Sequence, residues 1–239
     1  MDAKERMILA LDVEDFNQAG AIVDEFAEDV GMFKVGKQLF THCGPEIVDF
    51  VKSKGAGVFL DLKYHDIPNT VSKAGIEAMK LGVDLFNVHA SGGYAMMRET
   101  GEAVRAASAK LKMACPKIIA VTVLTSIDDA ELKRMGIHMS AAELTRNLAL
   151  LTKEAGLDGV VASGHDIETI RALCGDAFWI VTPGVRISDK PDDQKRTIGP
   201  GEAIRKGATF VVLGRTVLST EHPKENLKRV EDQIKDALS

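Results

Sequence analysis

The sequence predicts an α/β protein, a closed (β/α)8 barrel, and three observations predict it. Short apolar runs alternate with helix-like segments eight times along 239 residues. No linker-like stretch breaks the alternation, so residues 1–239 are expected to form a single domain. Polar and charged residues recur where the runs end, which is where such a barrel carries its chemistry.

The runs fall at 7–11, 32–35, 58–62, 84–88, 118–124, 159–162, 178–182 and 209–213. Each is rich in Val, Ile, Leu or Phe and too short to stand as a helix. Segments of helical period lie between them, with apolar stripes at Ala19-Ile22-Val23-Phe26 and Leu144-Leu148-Leu151. Glycine marks the helix-to-strand joins at Gly31, Gly55, Gly82, Gly156 and Gly207, as a helix C-cap requires. Regular alternation implies parallel strands with right-handed crossovers. Eight such units fit the TIM barrel; a doubly wound open sheet is the alternative, because the count alone does not prove closure. The first helix opens without a G-x-G-x-x-G turn, which leaves dinucleotide binding of the Rossmann kind unsupported.

Alternation along the strands then sorts the side chains. Ile8, Ala10 and Asp12 share one face of the first strand, and Met32, Lys34 and Gly36 share one face of the second. Leu9, Leu11, Phe33 and Val35 face the helix layer. The third strand delivers Asp61 and Lys63 side by side, with Leu60 and Leu62 pointing the other way. The fourth ends in Asn87 and His89, the fifth in Thr125 and Ser126, the eighth in Gly214 and Arg215. A lone D-x-K is ordinarily a solvated salt bridge. Two lysines and two aspartates converging on one mouth instead suit proton transfer, since burying such charges is costly without a compensating role.

Composition narrows the partners. Thirty basic against 35 acidic residues give a net charge of -5, so no overall field recruits nucleic acid or anionic membrane. Three scattered cysteines fit a reducing cytoplasm, and the histidines lack zinc-site spacing. The charged N-terminus lacks the core of a signal peptide, and no apolar run is long enough to span a bilayer. A soluble, cytoplasmic protein is expected. After the seventh run, Thr182-Pro183-Gly184-Val185-Arg186 leads into a polar loop at 187–197 that cannot bury a core. Such a loop is either plain surface or a lid. Gly214-Arg215 at the neighbouring strand end favours a phosphate grip, because loops after strands seven and eight are the usual phosphate site of this barrel.

The run D-L-K-Y-H-D-I-P-N-T at 61–70 resembles the signature of the orotidine 5′-phosphate decarboxylase family, in its bacterial type. A-L-D-V, F-K-V-G-K, V-T-V-L-T-S, T-P-G-V-R, D-Q-K-R and V-L-G-R follow the same order along the whole chain. The resemblance implies a carboxy-lyase that converts orotidine 5′-phosphate (OMP) to uridine 5′-phosphate (UMP) and CO2 in pyrimidine biosynthesis, with no metal and no organic cofactor. It implies that Lys63 protonates C6, that Asp61 opposes the substrate carboxylate, and that Lys34 and Asp12 orient the ribose. It implies a homodimer in which Asp66, with Ile67 and Thr70 beside it, reaches the neighbouring active site. Leu62, Tyr64, His65, Pro68 and Asn69 complete the substrate-lining run, with Tyr64 as scaffold and His65 and His89 as packed histidines; Pro68 starts a helix. Thr125 and Ser126 lie along the pyrimidine edge, and Arg186, Gln194, Gly214 and Arg215 hold the phosphate. Metal-dependent sugar-phosphate lyases share D-x-K-x-x-D but tend to carry an acidic residue on strand two, where Lys34 stands here. That reading, and a non-catalytic nucleotide-binding barrel, are the alternatives.

Overall fold

A computed structural model of the chain describes residues 1–187 and 198–239. In chain order the elements are β1 (Met7–Ala10), α1 (Phe16–Phe26), β2 (Met32–Gly36), α2 (Lys37–Cys43), α3 (Glu46–Ser53), β3 (Gly57–Tyr64) and α4 (Pro68–Lys80). There follow β4 (Leu85–His89), α5 (Gly93–Leu111), β5 (Lys117–Val121), α6 (Asp129–Arg134), α7 (Ala141–Glu154), β6 (Gly159–Val161) and α8 (Ile167–Cys174). The last are β7 (Trp179–Thr182), α9 (Pro200–Arg205), β8 (Phe210–Leu213), α10 (Arg215–Leu218) and α11 (Pro223–Leu238). The strands are parallel and close in sequence order, β8 pairing with β1 through Met7↔Val211 and Leu9↔Leu213. The barrel is therefore closed, and the open-sheet alternative is excluded.

Two apolar layers fill it. Ile8, Ala10, Met32, Phe59, Leu85, Ile119, Val181, Phe210 and Val212 pack inside the barrel. Leu9, Leu11, Phe33, Val35, Leu60, Phe86 and Val88 join the helices outside. Because both faces of each strand are buried, the strands read in sequence as continuous apolar runs. The interior is a packed core, so ligands must enter from an end.

Several expectations shift. The fifth strand stops at Val121, not 124. Thr122 Oγ1 donates to Val161 O (3.0 Å), and Ile127 N turns back to Leu124 O (2.9 Å), so Val123 and Leu124 lie beyond the ladder. Asp128 then caps α6 by accepting from Glu131 N. On α7 the leucine stripe is only half-buried, and the face set against the barrel is Thr145, Ala149 and Thr152. Thr152 avoids an orphaned hydroxyl by donating to Leu148 O (2.7 Å). Gly31 does not cap a helix with positive φ; a Cβ there would sit 2.7 Å from Glu5 O, so close approach of the chain demands glycine. Among the described residues no helix is long and apolar enough to cross a membrane.

Candidate active site

The ends of β1, β2 and β3 deliver an alternating line of charges. Lys34 Nζ lies 2.8 Å from Asp12 Oδ1 and 3.5 Å from Asp61 Oδ2. Lys63 Nζ lies 2.6 Å from Asp61 Oδ1. Asp61 is 8% exposed, and a carboxylate so buried is costly unless compensated. Two ammonium groups and the Asn87 amide, whose Nδ2 donates to Asp61 Oδ1 at 2.6 Å, supply the compensation. Removing either lysine would leave Asp61 buried beside a single cation.

Lys63 reaches this position at an irregularity in the pairing of β3 with β4. Leu60 pairs with Phe86 and Tyr64 with Val88, so three residues of β3 oppose Asn87 alone. Lys63 takes φ 54° at this bulge, a left-handed conformation unfavourable for a side chain with a Cβ. Its N–H is satisfied by Asn87 Oδ1 at 2.8 Å. Asn87 is fully buried on the inward row of β4, with Leu85 before it and His89 after it. In sequence it was readable only as a polar residue at a strand end; its burial and its two partners were not visible there.

The other half of the mouth carries arginines. A cavity of about 960 Å³ is lined by Asp12, Lys34, Arg186, Gly214, Arg215, Thr216 and Arg229 among others. Gly184, at φ 76°, makes the turn that only glycine takes without strain and brings Arg186 round. Thr216 Oγ1 donates to Val185 O (3.0 Å), tying the loop after β7 to the start of α10. A smaller cavity of about 190 Å³ holds Asp61 and Lys63 together with Lys37, and it shares Asp12 and Lys34 with the larger one. The two cavities thus adjoin, with the Asp12–Lys34 pair lining both.

The remaining expected residues divide. Leu62 and Tyr64 pack against the helix-side core rather than the mouth; Tyr64 meets Phe86 edge-on at 6.0 Å, and burial pushes its phenol above the usual range. Strand parity explains why: Leu60, Leu62 and Tyr64 share the helix-side face opposite Asp61 and Lys63. His65 and His89 rings lie 5.5 Å apart, His65 exposed and His89 half-buried. Burial, then the charges of His65, Lys37 and Lys63, push the His89 imidazole below its ordinary value against the opposing pull of Asp61. Asp66, Ile67, Asn69 and Thr70 are exposed at the head of α4, where Pro68 occupies the first turn. Asp66 Oδ1 accepts from Ile67 N (2.6 Å). Thr125 and Ser126 are exposed in the loop beyond β5, not at the strand end. Gln194 lies outside the described residues.

Fold and site define the class: a (β/α)8 barrel with a lysine–aspartate line at its mouth and an arginine-flanked cavity beside it. Residues 5–230 match the family described as "Orotidine 5'-phosphate decarboxylase / HUMPS family", and the chain belongs to it. It is 48% identical over 239 residues to orotidine 5′-phosphate decarboxylase of Syntrophotalea carbinolica, covering 100% of this chain and 98% of that one. The namesake of Syntrophomonas wolfei is 47% identical, over 99% of this chain and 100% of that one. Among solved structures, orotidine 5′-phosphate decarboxylase from Lactobacillus acidophilus superposes with a TM-score of 0.83 at 32% identity, over 95% of this chain and 97% of that one.

Proposed function

We propose that this chain, as a single barrel domain, decarboxylates OMP to UMP and CO2 without metal or organic cofactor. The observation that carries the reading is the Lys63 ammonium held 2.6 Å from Asp61 in a line ending at the arginine-flanked cavity. Loss of CO2 from C6 leaves a lone pair in the ring plane, where the π system cannot take it up. The enzyme must then supply on the order of 20 kcal/mol. Repulsion between Asp61 and the substrate carboxylate gives about 4 kcal/mol at an effective dielectric near 20, which is too little alone. A fixed ammonium facing the developing carbanion is the larger local contribution. Lys63 delivers its proton to C6 as the C–CO2 bond breaks, and solvent restores that proton.

Asp12 and Lys34 orient the ribose between the two cavities. Arg186, Gln194, Gly214 and Arg215 hold the phosphate, whose binding energy serves the distant reaction centre. Thr125 and Ser126 approach the pyrimidine edge from the loop beyond β5. Asp66 completes the site of a second copy in a cytoplasmic homodimer; Ile67 beside it is 65% exposed, a large apolar side chain left open at the head of α4.

A metal-dependent sugar-phosphate reaction is disfavoured by Lys34 itself, whose ammonium occupies the space between Asp12 and Asp61 where a cation would have to sit. The deciding experiment treats metal-stripped protein with OMP and follows loss of its absorbance together with UMP formation. Turnover unchanged by chelator is expected. Inactivity towards OMP, or a chelator-sensitive reaction on a sugar phosphate, overturns the proposal.

A further inference from the structure

We infer that Asn87 is a positioning residue for this decarboxylation: its carboxamide holds the Lys63 backbone and the Asp61 carboxylate at once, and so aims the proton donor. The inference rests on the function proposed above. At the β3 bulge three residues face one, so the ladder offers Lys63 N–H no regular partner. Asn87 Oδ1 takes that bond at 2.8 Å, and Nδ2 binds Asp61 Oδ1 at 2.6 Å, the same oxygen that meets Lys63 Nζ. The orientation of the amide is set by its partners, since a backbone N–H can only donate and a carboxylate only accept.

Glycine would relieve the left-handed backbone at position 63, but the chemistry needs a lysine side chain there. The strain must therefore be held by a neighbour. Asn87 is 0% exposed, on a strand face it shares with Leu85 and in register with Ile119, where an amide is costly unless both ends are used. Both are used. Among the side chains of this size, only a planar group with an acceptor and a donor on one carbon makes both bonds. A protonated aspartic acid is the one other group that does.

That equivalence supplies a test that packing alone would not move. Wild type, Asn87→Ala and Asn87→Asp are compared for kcat and KM with OMP across pH, and for UMP affinity by calorimetry, below each variant's unfolding temperature. Asn87→Ala is expected to lower kcat about 100-fold, the order of loss that misplacing a catalytic group produces. Its UMP affinity should stay within about threefold, because UMP lacks the carboxylate and needs no proton. Asn87→Asp should be poor near neutrality, with two carboxylates in contact, and recover relative to wild type as pH falls and the new acid takes up a proton. The Asn87→Ala ratio should not change with pH. An Asn87→Ala kcat within about threefold of wild type, or an Asn87→Asp ratio flat with pH, overturns the inference. If Asn87→Ala does not fold, the Asn87→Asp series decides alone. Inactive wild type would instead sink the proposed function, and is distinguishable from either result.

Discussion

The two ends of the barrel use charged residues in opposite ways. At the end where strands begin, charges terminate on backbone. Asp84 accepts from Val58 N (2.7 Å) and Asp158 from Ile118 N (2.9 Å), each also paired with a lysine, Lys52 or Lys117. Arg171 donates to the carbonyls of Gly175, Phe178 and Gly207 and to Thr209 Oγ1. Each of these groups satisfies a strand or helix end that would otherwise be orphaned. At the other end, Asp12, Lys34, Asp61 and Lys63 bind chiefly one another. Charges spent on backbone hold the fold; charges spent on other side chains keep capacity to act on a ligand. In this barrel the candidate chemistry sits where side-chain charges are left answering to each other.

If that division is right, the ends should fail differently. Lys63→Ala should cost at least about 10⁴-fold in kcat on OMP while the folded circular-dichroism spectrum persists; near-native turnover would show that the charged end does no chemistry through Lys63. Arg215→Ala should raise KM for OMP about 100-fold and leave turnover of the phosphate-free nucleoside nearly unchanged. Equal losses on both substrates would remove the phosphate grip. Mixing Lys63→Ala with Asp66→Ala chains should restore about a quarter of wild-type activity, because one site of each hybrid dimer regains both residues. No recovery argues against a shared site. At the opposite end, Arg171→Met should lower Tm by about 5–10 °C with kcat of the surviving protein within about twofold.

The smallest expected effect concerns His89. Its folded-state affinity for protons lies below the ordinary 6.5, so the folded chain binds fewer protons than the unfolded one in that region. Stability is therefore full above about pH 6.5 and is lost as pH falls through the lowered folded value. Urea midpoints measured from pH 7.5 to 5 should decline more steeply for wild type than for His89→Gln. Parallel declines would show that His89 contributes nothing to the acid sensitivity.

Much of the barrel was legible in the residues. Strands buried on both faces cannot hide their apolar runs, and the division of Ile8 and Ala10 from Leu9 and Leu11 followed from period alone. Asp12, Lys34, Asp61 and Lys63 were legible as charges within or just after apolar runs, where the contrast in residue type makes a charge conspicuous. The fifth strand was drawn too long because Val123 and Leu124 are apolar yet unpaired, and hydropathy cannot report a lost ladder. The leucine stripe of α7 marked a true helix whose Leu148 and Leu151 pack on the core, but Thr145 and Thr152, polar by type, are buried more deeply, and Thr152 can be because its hydroxyl donates to Leu148 O.

Periodicity and local residue type, read along the chain, were enough to determine eight strand–helix units and the charges set at their ends. Those properties depend on near neighbours in sequence. The three-against-one bulge, the left-handed Lys63 and the pairing of Asn87 with both partners were decided only by the tertiary pairing of β3 with β4. Asn87 and Lys63 are brought together by register between β3 and β4, and register is a contact between segments that no local pattern encodes.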